Sequence, residues 1–163
     1  MTLIKIGKIV NTHGIKGELR LLSKFPYKDK VFINNMTIYI DKKDKEIINT
    51  YRKHKNFDMI TLKDYNNINE VLKYKGKNAY VNDSDIKLDN NKYLDEELIG
   101  LNVIYEDNNK GTIIDIERYD KTVLFNIKNN DKEYLIPYND NIIDKIDINN
   151  KRIYIKDIKG LFD

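Results

Sequence analysis

Cysteine and tryptophan are absent from this 163-residue chain, and alanine occurs once, at Ala79. Without a thiol there is no disulfide framework, no cysteine-ligated metal and no thiol nucleophile, which excludes disulfide-stapled scaffolds, zinc fingers and redox proteins. Proline is nearly missing too, at Pro26 and Pro137 only, and no Gly/Ser or Pro-rich linker occurs among the seven glycines. No apolar run approaches the roughly 18 residues that a membrane span needs. The opening MTLIKIGKIV lacks the charged start, long apolar stretch and cleavage site of a secretory signal, so a cytoplasmic location is expected. His13 and His54 are the only imidazoles, and two histidines on different elements are a weak metal signal. Neither metal nor cofactor is expected.

The chain is rich in Ile (26), Lys (25), Asn (22) and Tyr (12), against four Arg. That is the profile of an AT-rich genome pushing interchangeable positions towards these residues, so the lysine count alone says little about partners. Charge placement says more. Residues 1–88 carry 18 Lys+Arg and 10 Asp+Glu, net +8, while residues 89–163 carry 11 and 16, net -5. The stretch from Asp85 to Asn91 is polar and unpatterned, which places a boundary between domains 1–88 and 89–163.

Apolar residues alternate with period two over short segments, which predicts strands. They fall at 3–10, 18–25, 37–41, 46–54, 57–63 and 77–81, then at 102–106, 111–118, 122–127, 132–136 and 152–156. The expected fold class is all-β: two small antiparallel β-barrels with one or two short helices. One helix is expected near residues 67–74, with Ile68, Val71 and Leu72 on one face, Gly76 as its stop, and a barrel end as its seat. Ile4, Ile6, Ile9, Leu19, Leu21, Ile60 and Leu62 should form the first core, and Val103, Ile114, Ile116, Val123, Phe125 and Ile136 the second.

Few residues suggest catalysis. Gly14-Ile15-Lys16-Gly17 can cradle a phosphate, but it matches neither nucleotide-binding glycine motif and joins strand to strand, which disfavours nucleotide hydrolysis. Glu96 with Glu97, and Glu117 with Asp120, read as solvated surface rather than as acid/base pairs. An enzymatic reading that pairs His13 with a carboxylate needs a deep pocket of perturbed groups. The loop reads better as a binding surface, with Lys8, His13, Lys16, Arg20 and Lys24 around it and Lys28 and Lys30 following. A second basic group, Arg52-Lys53-His54-Lys55, can reach the same RNA phosphates. The competing reading is a solvated lysine-rich turn. Two of only four arginines fall in these groups, which lysine drift does not explain.

The run Ile6-Gly7-Lys8-Ile9-Val10-Asn11-Thr12-His13-Gly14-Ile15-Lys16-Gly17-Glu18-Leu19-Arg20 resembles the opening signature of the bacterial ribosome maturation factor RimM family. Arg52 to Lys55, Ile68 to Leu72, Leu98-Ile99-Gly100-Leu101, Leu135 to Tyr138 and Gly160 to Asp163 follow in that family's order. The resemblance implies a translation-factor-like barrel followed by a PRC barrel. It also implies a non-catalytic assembly factor that binds the head of the immature small (30S) ribosomal subunit and promotes 16S rRNA processing. Its implied partners are small-subunit rRNA and the ribosomal protein called S nineteen, and a monomer is expected. Thr12, His13, Gly14, Lys16, Gly17, Arg20, Arg52 and His54 are the expected RNA- and subunit-binding residues. Tyr93 and Leu94 occupy the place of a family tyrosine pair that engages the subunit, and only Tyr93 matches. The alternative is a general RNA- or translation-associated binding module, for which the first barrel suffices.

Overall fold

Alternating apolar residues need a second surface to bury them, and in the first half of the chain the sheet supplies it by closing on itself. Leu3–His13 (β1), Glu18–Leu22 (β2), Thr37–Ile40 (β3), Asp44–His54 (β4), Phe57–Leu62 (β5) and Asn78–Asn82 (β6) form a closed antiparallel barrel, in the order β1-β2-β5-β4-β3-β6. The computed structural model describes all 163 residues, which divide into two compact units, Met1–Asn90 and Asn91–Asp163. Strand β1 serves two neighbours. Register shifts between Lys5 and Gly7 and between Ile9 and Asn11 turn its first half towards β6 and its second towards β2. All seven core positions expected in this barrel are buried, each side chain contributing about 1.5–3 kcal/mol by leaving water.

The order β1-β2-β5-β4 positions the site. Because β2 pairs antiparallel with β5, Leu19 with Ile60 and Leu21 with Asp58, the β1–β2 and β4–β5 turns lie towards opposite ends of the sheet, and the order brings together side chains along the strands that are distant in sequence. The expected helix is present in part, as Ile68–Val71 (α1) followed by a 3-10 turn over Leu72–Tyr74. Asn67 caps it, its side chain accepting the Asn69 N–H at 2.8 Å. Its buried face differs from the expected one. Val71 and Tyr74 point inward while Leu72 is 47% exposed, because the switch to 3-10 geometry rotates the face after one turn. Tyr74 and Tyr65 both donate to Glu46, which ties this segment to β4.

Asp58 is the one buried charged residue, fully enclosed on β5. Tyr51 donates its hydroxyl to it at 2.6 Å and Lys28 pairs with it at 2.8 Å, so the loop before β3 is fastened to the barrel through its carboxylate. Burial, followed by this hydrogen bond, pushes the Tyr51 hydroxyl up to about 12.

The second unit adds a short helix, Asp95–Leu98 (α2), and six strands: Asn102–Tyr105 (β7), Asn108–Arg118 (β8), Val123–Asn129 (β9), Lys132–Pro137 (β10), Ile143–Asp147 (β11) and Arg152–Ile155 (β12). Their hydrogen-bonded order is β10-β9-β8-β7-β12-β11. No β10–β11 pair closes this sheet, where a second antiparallel barrel was expected, and further details also differ from expectation. The β12–β7 pair is parallel, and β11 is a strand the alternation did not reveal, because a register shift between Ile143 and Lys145 interrupts its period. A bulge between Ile113 and Asp115 also reassigns the core of β8. Ile113 is buried and Ile114 is 42% exposed, while Val103, Ile116, Phe125 and Ile136 are buried as expected and Val123 packs against them part-buried.

Candidate nucleic-acid interface

The adjacent strands β1, β2, β5 and β4 bring His13 and Arg20 of the first basic group and Arg52 and His54 of the second together in one basic rim along the side of the first barrel. His13 ends β1 opposite Glu18, and Arg20 lies opposite Asn11 on one side and Met59 on the other. Arg52 and His54 end β4, where Lys55 takes φ +57° in a two-residue turn and His54 pairs with Phe57. Glu18 and Phe57 complete the cluster, and sequence reasoning did not select them. The signal for both is register, since each occupies the place opposite a selected histidine.

Contacts within the cluster are specific. Arg52 holds Glu18 through both carboxylate oxygens, Nη2 at 2.7 Å and Nε at 2.9 Å, a forked pair that lysine cannot make. The Arg20 Nη2 lies 2.8 Å from His13 Nδ1, and its guanidinium carbon sits 4.9 Å from the Phe57 ring centroid. A guanidinium only donates, so His13 accepts through Nδ1 and carries its proton on Nε2 in this contact. The His13 and His54 rings are 5.9 Å apart and tilted by 41°. Hydrogen bonding from Arg52 holds the Glu18 carboxyl below its ordinary value. Lost hydration, then the charges of Arg52 and Lys55, lower His54.

The turn itself has a structural task. Gly14 and Gly17 take φ +74° and +88°, and a Cβ on Gly17 would stand 3.0 Å from the Asn67 carbonyl oxygen. The Ile15 carbonyl accepts the Ile68 N–H at 2.9 Å, so α1 docks directly on the turn. The close approach that Gly17 permits is therefore to the protein's own helix. Ile15, 82% exposed, and Lys16 project from the tip, while Thr12, half-buried, takes its N–H to the Asn11 side chain. Lys28 and Lys30 do not join the rim as free charges, because Lys28 is bound to Asp58 and Lys30 lies 3.3 Å from Asp89.

In the second unit, Tyr93 lines a depression of about 300 Å³ with Tyr138, Ile143 and Asp144 among its walls, and Tyr138 stacks on buried Phe125 at 4.4 Å. Leu94 is only 8% exposed and precedes α2. Its N–H donates to the Glu97 carboxylate at 2.9 Å, and Arg118 clasps Asp95 in the same turn at 2.5 and 3.1 Å.

Comparison with known proteins follows the same division. The RimM N-terminal domain family matches residues 4–86, and the RimM PRC barrel domain family matches residues 95–161. The ribosome maturation factor RimM of Staphylococcus haemolyticus is 37% identical over 166 residues, covering 98% of this chain and 99% of that protein. Its counterpart from Shouchella clausii is 34% identical, covering 97% and 96%. The solution structure of the N-terminal domain of RimM from Thermus thermophilus aligns with 54% of this chain and 98% of that one, at 17% identity and a TM-score of 0.48.

Proposed function

Because this chain belongs to the RimM family of ribosome maturation factors, we propose that it assists maturation of the small ribosomal subunit by binding rather than by catalysis. The observation that carries this reading is the convergence of His13, Arg20, Arg52 and His54 in one rim, with Lys16 exposed in the turn that follows His13, on a barrel whose half of the chain is net basic. That rim meets rRNA of the immature subunit head, with Thr12, Gly14 and Gly17 shaping the turn that presents it. The net-acidic second unit meets the basic ribosomal protein S nineteen at Tyr93 and Leu94, Tyr93 lining the depression and Leu94 fixing the start of α2. The protein acts as a cytoplasmic monomer. Against an acid/base role for His13, both oxygens of Glu18, the carboxylate facing it, are occupied by Arg52.

Sedimentation of the full chain with immature small subunits should be retained at low salt, weaken as salt rises, and fail with finished subunits. Equal binding to both particles, or to neither at any salt, would overturn the assignment. A general RNA-binding module is the second reading, favoured by the location of the whole basic rim within Met1–Asn90. A chain ending at Asn90 that keeps most of the affinity supports that module. Loss of most affinity supports two linked contacts acting through effective concentration.

A further inference from the structure

We propose that the side-chain cluster across β1, β2, β5 and β4 builds a discrete site for one phosphate group, in which Arg20, His13 and His54 converge on a single phosphodiester of an RNA strand. This inference rests on the RNA-binding reading of the rim and goes further, from a basic surface to a defined anion clasp. Its basis is a charge imbalance. Two arginines share the rim with one carboxylate, and Arg52 occupies both oxygens of Glu18. Arg20 is left half-buried and without an ion-pair partner, held by the His13 ring and the face of Phe57, with its Nε enclosed and unpartnered. A partly dehydrated cation in those surroundings gains from an arriving anion what it has lost from water.

The histidines are placed to complete the clasp. Nδ1 of His13 faces Arg20, so its Nε2–H is on the far side of the ring, and the His54 ring lies 5.9 Å away. Imidazole donors at that spacing can serve two oxygens of one phosphate. The groups facing His54 are Arg52 and Lys55 from its own hairpin, and His13, Arg20 and Glu18 from the neighbouring one. Lost hydration, and then the field of these cations, which outweigh the single neutralised carboxylate, disfavour a proton on His54 in the free protein. A bound phosphate reverses that field. Binding then takes up a proton and strengthens as the pH falls.

The test is a titration of the full chain with inorganic phosphate at constant ionic strength, following the ring resonances of His13 and His54. The expected result is a saturable shift of both rings and a rise in the pH at which His54 titrates. Arg20→Gln should weaken the apparent phosphate affinity about tenfold or more, and Arg20→Lys, which keeps charge but not the fork, should fall between. Exposed Lys43→Gln, in the β3–β4 turn, should leave it unchanged. Absence of a saturable shift, or an equal shift in a folded Arg20→Gln protein, overturns the site. If Arg20→Gln melts early, Arg20→Lys decides alone, and wild-type affinity in that variant overturns the site. Sedimentation with immature subunits separates the phosphate sources. Loss of subunit binding in Arg20→Gln supports an RNA phosphodiester, and retention overturns that assignment in favour of a free phosphate ester. Failure of the wild-type chain to bind subunits defeats the functional reading alone, because the phosphate titration is read independently.

Discussion

His54 and Glu18 show how single residues on the rim respond to acid. Both have proton affinities in the folded state below their ordinary values, His54 through lost hydration and neighbouring cations and Glu18 through the Arg52 hydrogen bond. The unfolded chain therefore binds more protons than the folded one, and stability rises with pH. The His54 contribution is full above its ordinary value of 6.5 and lost below it, and that of Glu18 is full above 4.5 and lost as the carboxylate protonates. Denaturation midpoints between pH 7.5 and 5 should fall for the wild type, and His54→Gln should flatten the upper part of that fall. Identical profiles for the two proteins would show that His54 is not coupled to folding. Of these residues, His13, Arg20, Arg52 and His54 were recognisable as candidates from their types and local sequence. Glu18 and Phe57 were not, because their importance comes from sitting opposite the histidines on paired strands.

At the level of elements, the β1–β2 turn and α1 form one unit through the Ile15–Ile68 hydrogen bond and the close approach at Gly17. Both turn glycines have positive φ, but only Gly17 has a backbone against it; Gly14 has open space. Alanine at Gly14 should therefore cost about 1 kcal/mol from backbone strain alone. Alanine at Gly17 should cost more, roughly 2 kcal/mol or above, because the docked helix must also shift. Thermal melting of the two variants checks this, and equal losses would show that α1 does not rest on the turn. Strand β8 illustrates why alternation is an incomplete guide. Its period predicts Ile114 in the core, yet the bulge before Asp115 turns Ile113 inward, and a bulge depends on the partner strand rather than on local pattern. Strand β11 escaped detection for the same reason.

Over the whole molecule, the net charge of +3 conceals a basic half and an acidic half, the polarity on which the proposed contacts with RNA and a basic protein rest. Lys16, exposed at the tip and bound to no carboxylate, is the simplest probe of the proposed RNA contact. Lys16→Gln should lower the steepness of the salt dependence of subunit binding by about one phosphate contact while leaving melting unchanged. An unaltered slope would place Lys16 outside the interface. By itself, the sequence determined the all-β class and most of both cores, because side-chain alternation and turn residues are local properties, and its motifs carried the family resemblance. Only the tertiary structure decided which charges are free. Lys28, Lys30, Arg52 and Arg118 are engaged by Asp58, Asp89, Glu18 and Asp95, between 23 and 59 residues away, whereas Arg20 has no such partner. Ion pairing over those separations is set by strand order, register and loop docking, which no local pattern encodes.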